Sequence, residues 1–163
     1  MEKADKYNFR IAVEADVKAF YLRAMIDHKV AGYLSLGPQV FVPEMDATLG
    51  LWNQVWYINE TLTALGSFHI RRGFRNDVDI SGFVLGGDKL LAGRLILFMK
   101  SQLKLVSPHS VNSTVLVTNE SSMSVTRKLL GEPWGIEPNA GYDGVLGKWV
   151  DIAHFRKEWK DIV

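Results

Sequence analysis

The chain has 163 residues, 47% hydrophobic and 23% charged, a composition that suits one folded domain spanning 1–163 and leaves no room for two full cores. Nineteen Lys plus Arg against eighteen Asp plus Glu give a net charge of +1, without the basic excess of a strong polyanion binder, so nucleic acid is not an expected partner. Cysteine is absent, which excludes thiol nucleophiles, disulfides and thiolate zinc sites. The polar start Met1 to Lys6 does not open like a secretory leader, and the apolar run near Leu95 to Met99 is too short to span a membrane. A cytoplasmic protein is expected.

In chain order, Phe9, Ile11 and Val13 alternate with polar neighbours, the period of a half-buried strand. Asp16 is placed to cap a helix whose buried face is Val17, Phe20, Tyr21, Ala24 and Met25. Gly37-Pro38 and Pro43 break the stretch from Val30 to Gly50 into short pieces. Short β-branched and aromatic runs follow at Val55 to Ile58, Thr61 to Leu65 and Ser67 to Ile70, with Asn59-Glu60 and Gly66 as separators. A turn is predicted over Arg71 to Asp77, then a strand over Val78 to Leu85. The glycine loop from Gly86 opens a helix to about Val106, with Leu95, Phe98, Met99, Leu103 and Val106 on its buried side. Pro108 ends that helix, and Thr114 to Val117 reads as a compact strand. Thr118 and Asn119 precede a helix from Glu120 to Leu130, closed by Gly131. A loop over Glu132 to Gly135 and two strands, near Ile136 and over Lys148 to Phe155, complete a mixed α/β domain.

Common catalytic signatures are missing. There is no G-x-S-x-G elbow, no Walker loop and no G-x-G-x-x-G, and His28, His69, His109 and His154 show no metal-binding spacing, so no metal is expected. What remains is the loop from Gly86 to Arg94, which leaves a strand and opens a helix. Unpaired N–H groups at a helix start attract anions, and Lys89 and Arg94 add charge. The plainer reading of Gly86-Gly87 is a tight turn. Arg71, Arg72 and Arg75 around Phe74 form the one basic cluster, read first as a solvated hairpin tip and second as a contact for nucleic acid or an acidic partner. Tryptophans at 52, 56, 134, 149 and 159 belong either to the core or to a pocket or interface.

The C-terminal half resembles the GCN5-related N-acetyltransferases. Val78-Asp79-Ile80-Ser81-Gly82-Phe83-Val84-Leu85 is similar to that family's fourth strand, and Asp88 to Gly93 lies where the family has Q/R-x-x-G-x-G/A. Leu116-Val117-Thr118-Asn119, followed by Ser122, Val125, Lys128 and Gly131, is similar to its fifth strand and following helix. Gly147 to Asp151, running on to Trp159, resembles the last strand and tail. The resemblance implies a central mixed sheet with helices on both faces, and acetyl-CoA as the acyl donor. It implies a cofactor site of Phe83, Val84, Leu85, Lys89, Leu90, Leu91, Ala92, Gly93, Arg94 and Asn119, where the bland reading of Asn119 is a helix N-cap.

The family often uses a carboxylate near the start of the fourth strand as base, and Asp79 matches better than Asp77. Thr126 occupies the place of the family's tyrosine acid, and its hydroxyl is too weak an acid to stand in for a phenol. Tyr142, in a Gly-rich stretch, is the replacement acid the sequence offers, set against a purely structural role. Asp88 and Leu91 depart from the loop pattern and place an acid where pyrophosphate would lie, as in divergent, often phage-encoded, relatives. Activity is therefore expected to be weak or lost. The expected partner is a small-molecule or protein amine if the chain is active, and otherwise a protein assembly partner, with homo-oligomers among the expectations. A phage-encoded chain would reside in the host cytoplasm or the virion.

Overall fold

The computed structural model describes residues 4–27, 53–71 and 77–162. The elements are β1 (Phe9–Ile11), α1 (Glu14–Ala24), β2 (Asn53–Asn59), β3 (Ala64–Arg71), β4 (Asp77–Val84), α2 (Lys89–Val106), β5 (Ser110–Leu116), α3 (Glu120–Leu130), β6 (Gly135–Asp143) and β7 (Lys148–Glu158). The seven strands form one sheet in the order β1-β2-β3-β4-β5-β7-β6. All neighbours are antiparallel except β4 and β5, which run parallel. Parallel neighbours require a crossover, and α2 supplies it. The expected mixed sheet with helices on both faces is therefore present.

Two apolar clusters cover the two faces. Leu91, Leu95, Met99 and Leu103 of α2 and Met123 and Leu130 of α3 pack with Phe68, Val78, Val111 and Phe155 on one face. Val17, Phe20, Tyr21 and Ala24 of α1 pack with Trp56, Ile58 and Leu65 on the other. The periodic α1 stripe is buried as predicted except for Met25, which is 37% exposed.

Several expectations need correction. Asp16 is not the N-cap: α1 begins at Glu14 with Val13 at the cap position, and Asp16 is its third residue. From there it accepts the Val13 N–H at 2.9 Å and both guanidinium nitrogens of Arg10, at 2.6 and 2.9 Å. The runs Thr61 to Leu65 and Ser67 to Ile70 are not two strands. Residues 60–63 are a turn, and Ala64–Arg71 is one strand. Asn59 makes the turn, since its buried Oδ1 accepts the N–H groups of Thr63 and Ala64 at 2.8 and 2.9 Å. Gly66 does not break β3. It pairs with Gly82 of β4, and the two form a saddle for α2. A Cβ on Gly66 would lie 2.6 Å from Met99 Sδ and 3.1 Å from Leu95 Cδ1. β5 starts at Ser110, earlier than expected, and β7 continues to Glu158. The Arg72 to Asn76 part of the predicted basic turn, together with His28, Val30 to Gly50 and Trp52, lies outside the described residues.

Asp16 makes acid stability testable. The Arg10 guanidinium, helped by the Val13 N–H, holds the Asp16 carboxyl below its ordinary value despite partial desolvation. A depressed folded pKa adds stability that is present above the unfolded value of about 3.9 and is lost as pH falls through the folded one. Denaturant midpoints of Asp16→Asn and the parent are expected to converge as pH falls below about 4 and to differ, with the parent more stable, near neutrality.

Candidate functional site

The parallel ladder between β4 and β5 is short. It pairs Asp77 with Ser110, Val78 with Val111 and Asp79 with Asn112. Past that point the ladder stops, although β4 continues to Val84 and β5 to Leu116. Ser113 Oγ reaches the Ile80 carbonyl at 3.3 Å across the first step of the gap. The result is a wedge with its apex at Asp79 and Asn112. Its mouth opens toward the Leu85 to Asp88 loop and the start of α3.

Asp79 lies on the face that α1 covers further along the sheet. Cross-strand register places His69, Asp79, Asn112 and Arg156 in one lateral row across β3, β4, β5 and β7. His69 Nδ1 is 3.8 Å from Asp79 Oδ2, longer than a hydrogen bond. Asp79, Asn112, Thr114, Trp134, His154 and Arg156 line a cavity of about 170 Å³ on this face. Asp77, the weaker candidate base, lies one step further from the open end of the wedge. Its Oδ1 accepts the Ser110 hydroxyl at 2.7 Å, and its Oδ2 is 3.4 Å from Arg156 Nη1.

Tyr142 is not brought to this cavity. It pairs with Trp149 at the far end of the β6–β7 hairpin, one residue out of phase with Gly141 and Val150. Strand alternation therefore puts its ring on the opposite face from Asp79. There it meets the Trp149 ring edge-on at 5.7 Å. Thr126 is buried in α3, so its hydroxyl is no exposed acid either.

The glycine loop needs its glycines, because Gly86 and Gly87 have φ of 70° and 67°, where a Cβ is strained. Its N–H groups are partly taken. Asp27 Oδ2 accepts the Gly86 N–H at 3.0 Å, and Asp88 Oδ1 accepts the Leu91 N–H at 3.0 Å as the α2 N-cap. Lys6 Nζ pairs with Asp88 Oδ2 at 2.9 Å. The Leu91 N–H and the Lys6 ammonium hold the Asp88 carboxyl below its ordinary value. The Arg94 guanidinium lies 6.0 Å from the centre of the Tyr7 ring. Lys89, Leu90 and Gly93 are exposed or nearly so, Ala92 is half-buried, and Leu91 is buried beneath α2. Phe83 and Leu85 pack against the α1 cluster and Val84 against the α2 cluster. Asn119 caps α3, accepting the Ser122 N–H at 3.2 Å.

Sequence reasoning singles out Asp79 but not His69, Asn112 or Arg156 as its companions. They are scattered along the chain, and only the strand register gathers them. Among the described residues, no three His, Asp or Glu side chains gather as a metal site. No described helix is long and apolar enough to cross a membrane.

No family model and no curated protein matches the chain. Solved structures do. The yncA protein of Salmonella typhimurium, solved with acetyl-CoA, is 18% identical over 93% of this chain and 92% of that one, with a TM-score of 0.67. The ribosomal-protein-S5-alanine acetyltransferase of Vibrio fischeri is 14% identical over 99% and 100%, with a TM-score of 0.68. A variant spermidine N-acetyltransferase of Vibrio cholerae is 8% identical over 96% and 95%, with a TM-score of 0.70. At these identities the likeness shows the fold, which is that of the GCN5-related N-acetyltransferases.

Proposed function

We propose that the chain is an acyl-CoA-dependent N-acyltransferase with a weakened donor site. The observation that carries this reading is the wedge: β4 and β5 part immediately beyond a carboxylate, with a glycine loop and a helix start at the open end. The residues fit acetyl-CoA there. The edges of β4 and β5 that face each other beyond Asp79 and Asn112 lie outside the ladder and would meet the pantetheine arm, and Lys89, with the loop N–H groups that Asp27 and Asp88 do not take, would meet a pyrophosphate. The carboxylates of Asp27 and Asp88 oppose that anion. Acetyl-CoA would supply the activated acetyl group as a thioester.

Asp79, at the apex, accepts the proton of the incoming ammonium, directly or through a water. The freed amine nitrogen then forms the new N–C bond as the C–S bond breaks; its second proton passes, through solvent, to the departing thiolate, which leaves as the CoA thiol, and Asp79 returns its own proton to solvent. No described phenol stands near the apex to protonate the sulfur, and a thiolate leaves without help. His69 flanks Asp79, its Nδ1 3.8 Å from Asp79 Oδ2.

The charge on Asp88 is separable from its capping bond. Asp88→Asn retains an oxygen for the Leu91 N–H, removes the negative charge and frees Lys6. Acetyl-CoA affinity is expected to rise on the order of fivefold at low salt, measured by calorimetry, and the gain to shrink as salt is added. An unchanged or weaker affinity contradicts a pyrophosphate at this loop. The function is tested by release of free CoA thiol from acetyl-CoA against a panel of amines. Amine-dependent release is the expected result, and none with any amine contradicts the reading.

A second reading has one observation in its favour: the two carboxylates already seated on the loop N–H groups. A fold kept for binding a protein partner rather than for transfer has no use for an open phosphate site. The thiol-release assay separates the two.

A further inference from the structure

Resting on the acyltransferase reading, we infer that the acceptor is a small free amino acid, with its ammonium at Asp79 and its carboxylate at Arg156. The two side chains face one cavity from the same lateral row, with Asn112 between them. Neighbouring strands are about 4.8 Å apart, so the Asp79 and Arg156 backbones are separated by roughly 10 Å. An α-amino acid carries its two charges on atoms about 2.5 Å apart. The Asp and Arg side chains span the remainder. The Asn112 amide, both donor and acceptor, can bond to either group.

The Arg156 guanidinium is tethered at one side of the cavity. Asp77 meets its Nη1 at 3.4 Å and is itself fixed by the Ser110 hydroxyl at 2.7 Å. A guanidinium has five donors in a planar fork, which matches a carboxylate edge to edge. Asp77 also opposes a second carboxylate, so the fork has to engage the ligand through nitrogens that Asp77 does not hold. Trp134 supplies an apolar lip. It is 70% exposed, its ring centre is 5.6 Å from that of His154, and its backbone N–H is anchored on the His154 carbonyl at 2.9 Å. His154 is held in turn by Glu137 at 2.9 Å. An apolar amino-acid side chain can lie on that indole.

Charge disfavours a polypeptide N-terminus. A polypeptide would bring a neutral amide to Arg156 where the free amino acid brings a carboxylate.

Leucine, leucinamide and isopentylamine share one side chain and differ only at the carboxylate, so their binding tests the idea without any reaction. Calorimetry on the full chain is expected to show leucine binding roughly tenfold or more tightly than either of the others. In Arg156→Gln the three should bind within about threefold of one another, and Arg156→Lys should fall between, since it keeps the charge but not the fork. Thermal melts check that both variants fold, and the comparison of ligands on the parent protein stands without either variant. Equal binding of the three to the parent, or no leucine binding in the millimolar range, overturns the inference. The two proposals fail separately. Leucine binding without acetyl transfer sinks the acyltransferase reading alone, whereas acetylation of isopentylamine as efficiently as leucine sinks the amino-acid inference alone.

Discussion

Replacing Asp79 with Asn is expected to lower kcat/KM for acetyl transfer by a factor on the order of 10² to 10⁴, the usual loss when a positioned base is removed. Asp79 is the carboxylate at the wedge apex, where an amine and a thioester would meet from opposite sides of the sheet. Asn is close to isosteric and keeps a hydrogen-bond acceptor, so the fold should be retained while the proton acceptor is lost. Asp79→Glu is expected to recover part of the rate, and acetyl-CoA affinity should change little in either variant. Steady-state thiol release with a saturating amine reads the effect. A rate within about threefold of the parent in Asp79→Asn would move the base elsewhere. A comparable loss in Tyr142→Phe would bring back the acid role expected from sequence, which its place on the opposite sheet face does not support.

The second large effect concerns stability. Leu95→Ala is expected to cost about 2–5 kcal/mol, because Leu95 is buried over the Gly66–Gly82 saddle and the sheet beneath it has no side chains with which to fill the space. Against a typical domain stability of about 5–15 kcal/mol, that shifts the denaturant midpoint clearly. Gly66→Ala alone is expected to cost about 1–3 kcal/mol by overpacking, moderated by the freedom of the Met99 side chain to move. Together the two should cost less than their sum, since the methyl added at Gly66 enters the space that Leu95 leaves, with a coupling of about 0.5–3 kcal/mol. Strict additivity would mean that α2 does not rest on the saddle. The saddle bears on function because it seats the crossover helix that the glycine loop leads into.

The same glycine shows where sequence reasoning falls short. Gly66 reads as a strand break because glycine lacks β propensity, whereas in the fold it serves close packing of helix on sheet. Asp16 reads as a cap because it stands at the start of a periodic stripe, but Arg10 and the Val13 N–H recruit it further into the first turn. The helices and the β4 strand are legible because each repeats its own period over many residues, and the loop because Gly86-Gly87 stands between a strand and a helix. Of the lateral row at the cavity, sequence points only to Asp79, through the resemblance of β4 to a known strand. His69, Asn112 and Arg156 join it through register across four strands, which no local pattern encodes. Asp88 is readable in the sequence as opposing a phosphate, but its capping bond to Leu91 and the contribution of Asp27 emerge only in three dimensions.

Isothermal titration of the full chain with acetyl-CoA decides whether the wedge between β4 and β5 takes acyl-CoA. Saturable binding of one molecule per chain is expected, weak at physiological salt, stronger at low salt, and strengthened by Asp88→Asn. Absence of binding at millimolar acetyl-CoA to both the parent and Asp88→Asn would contradict it.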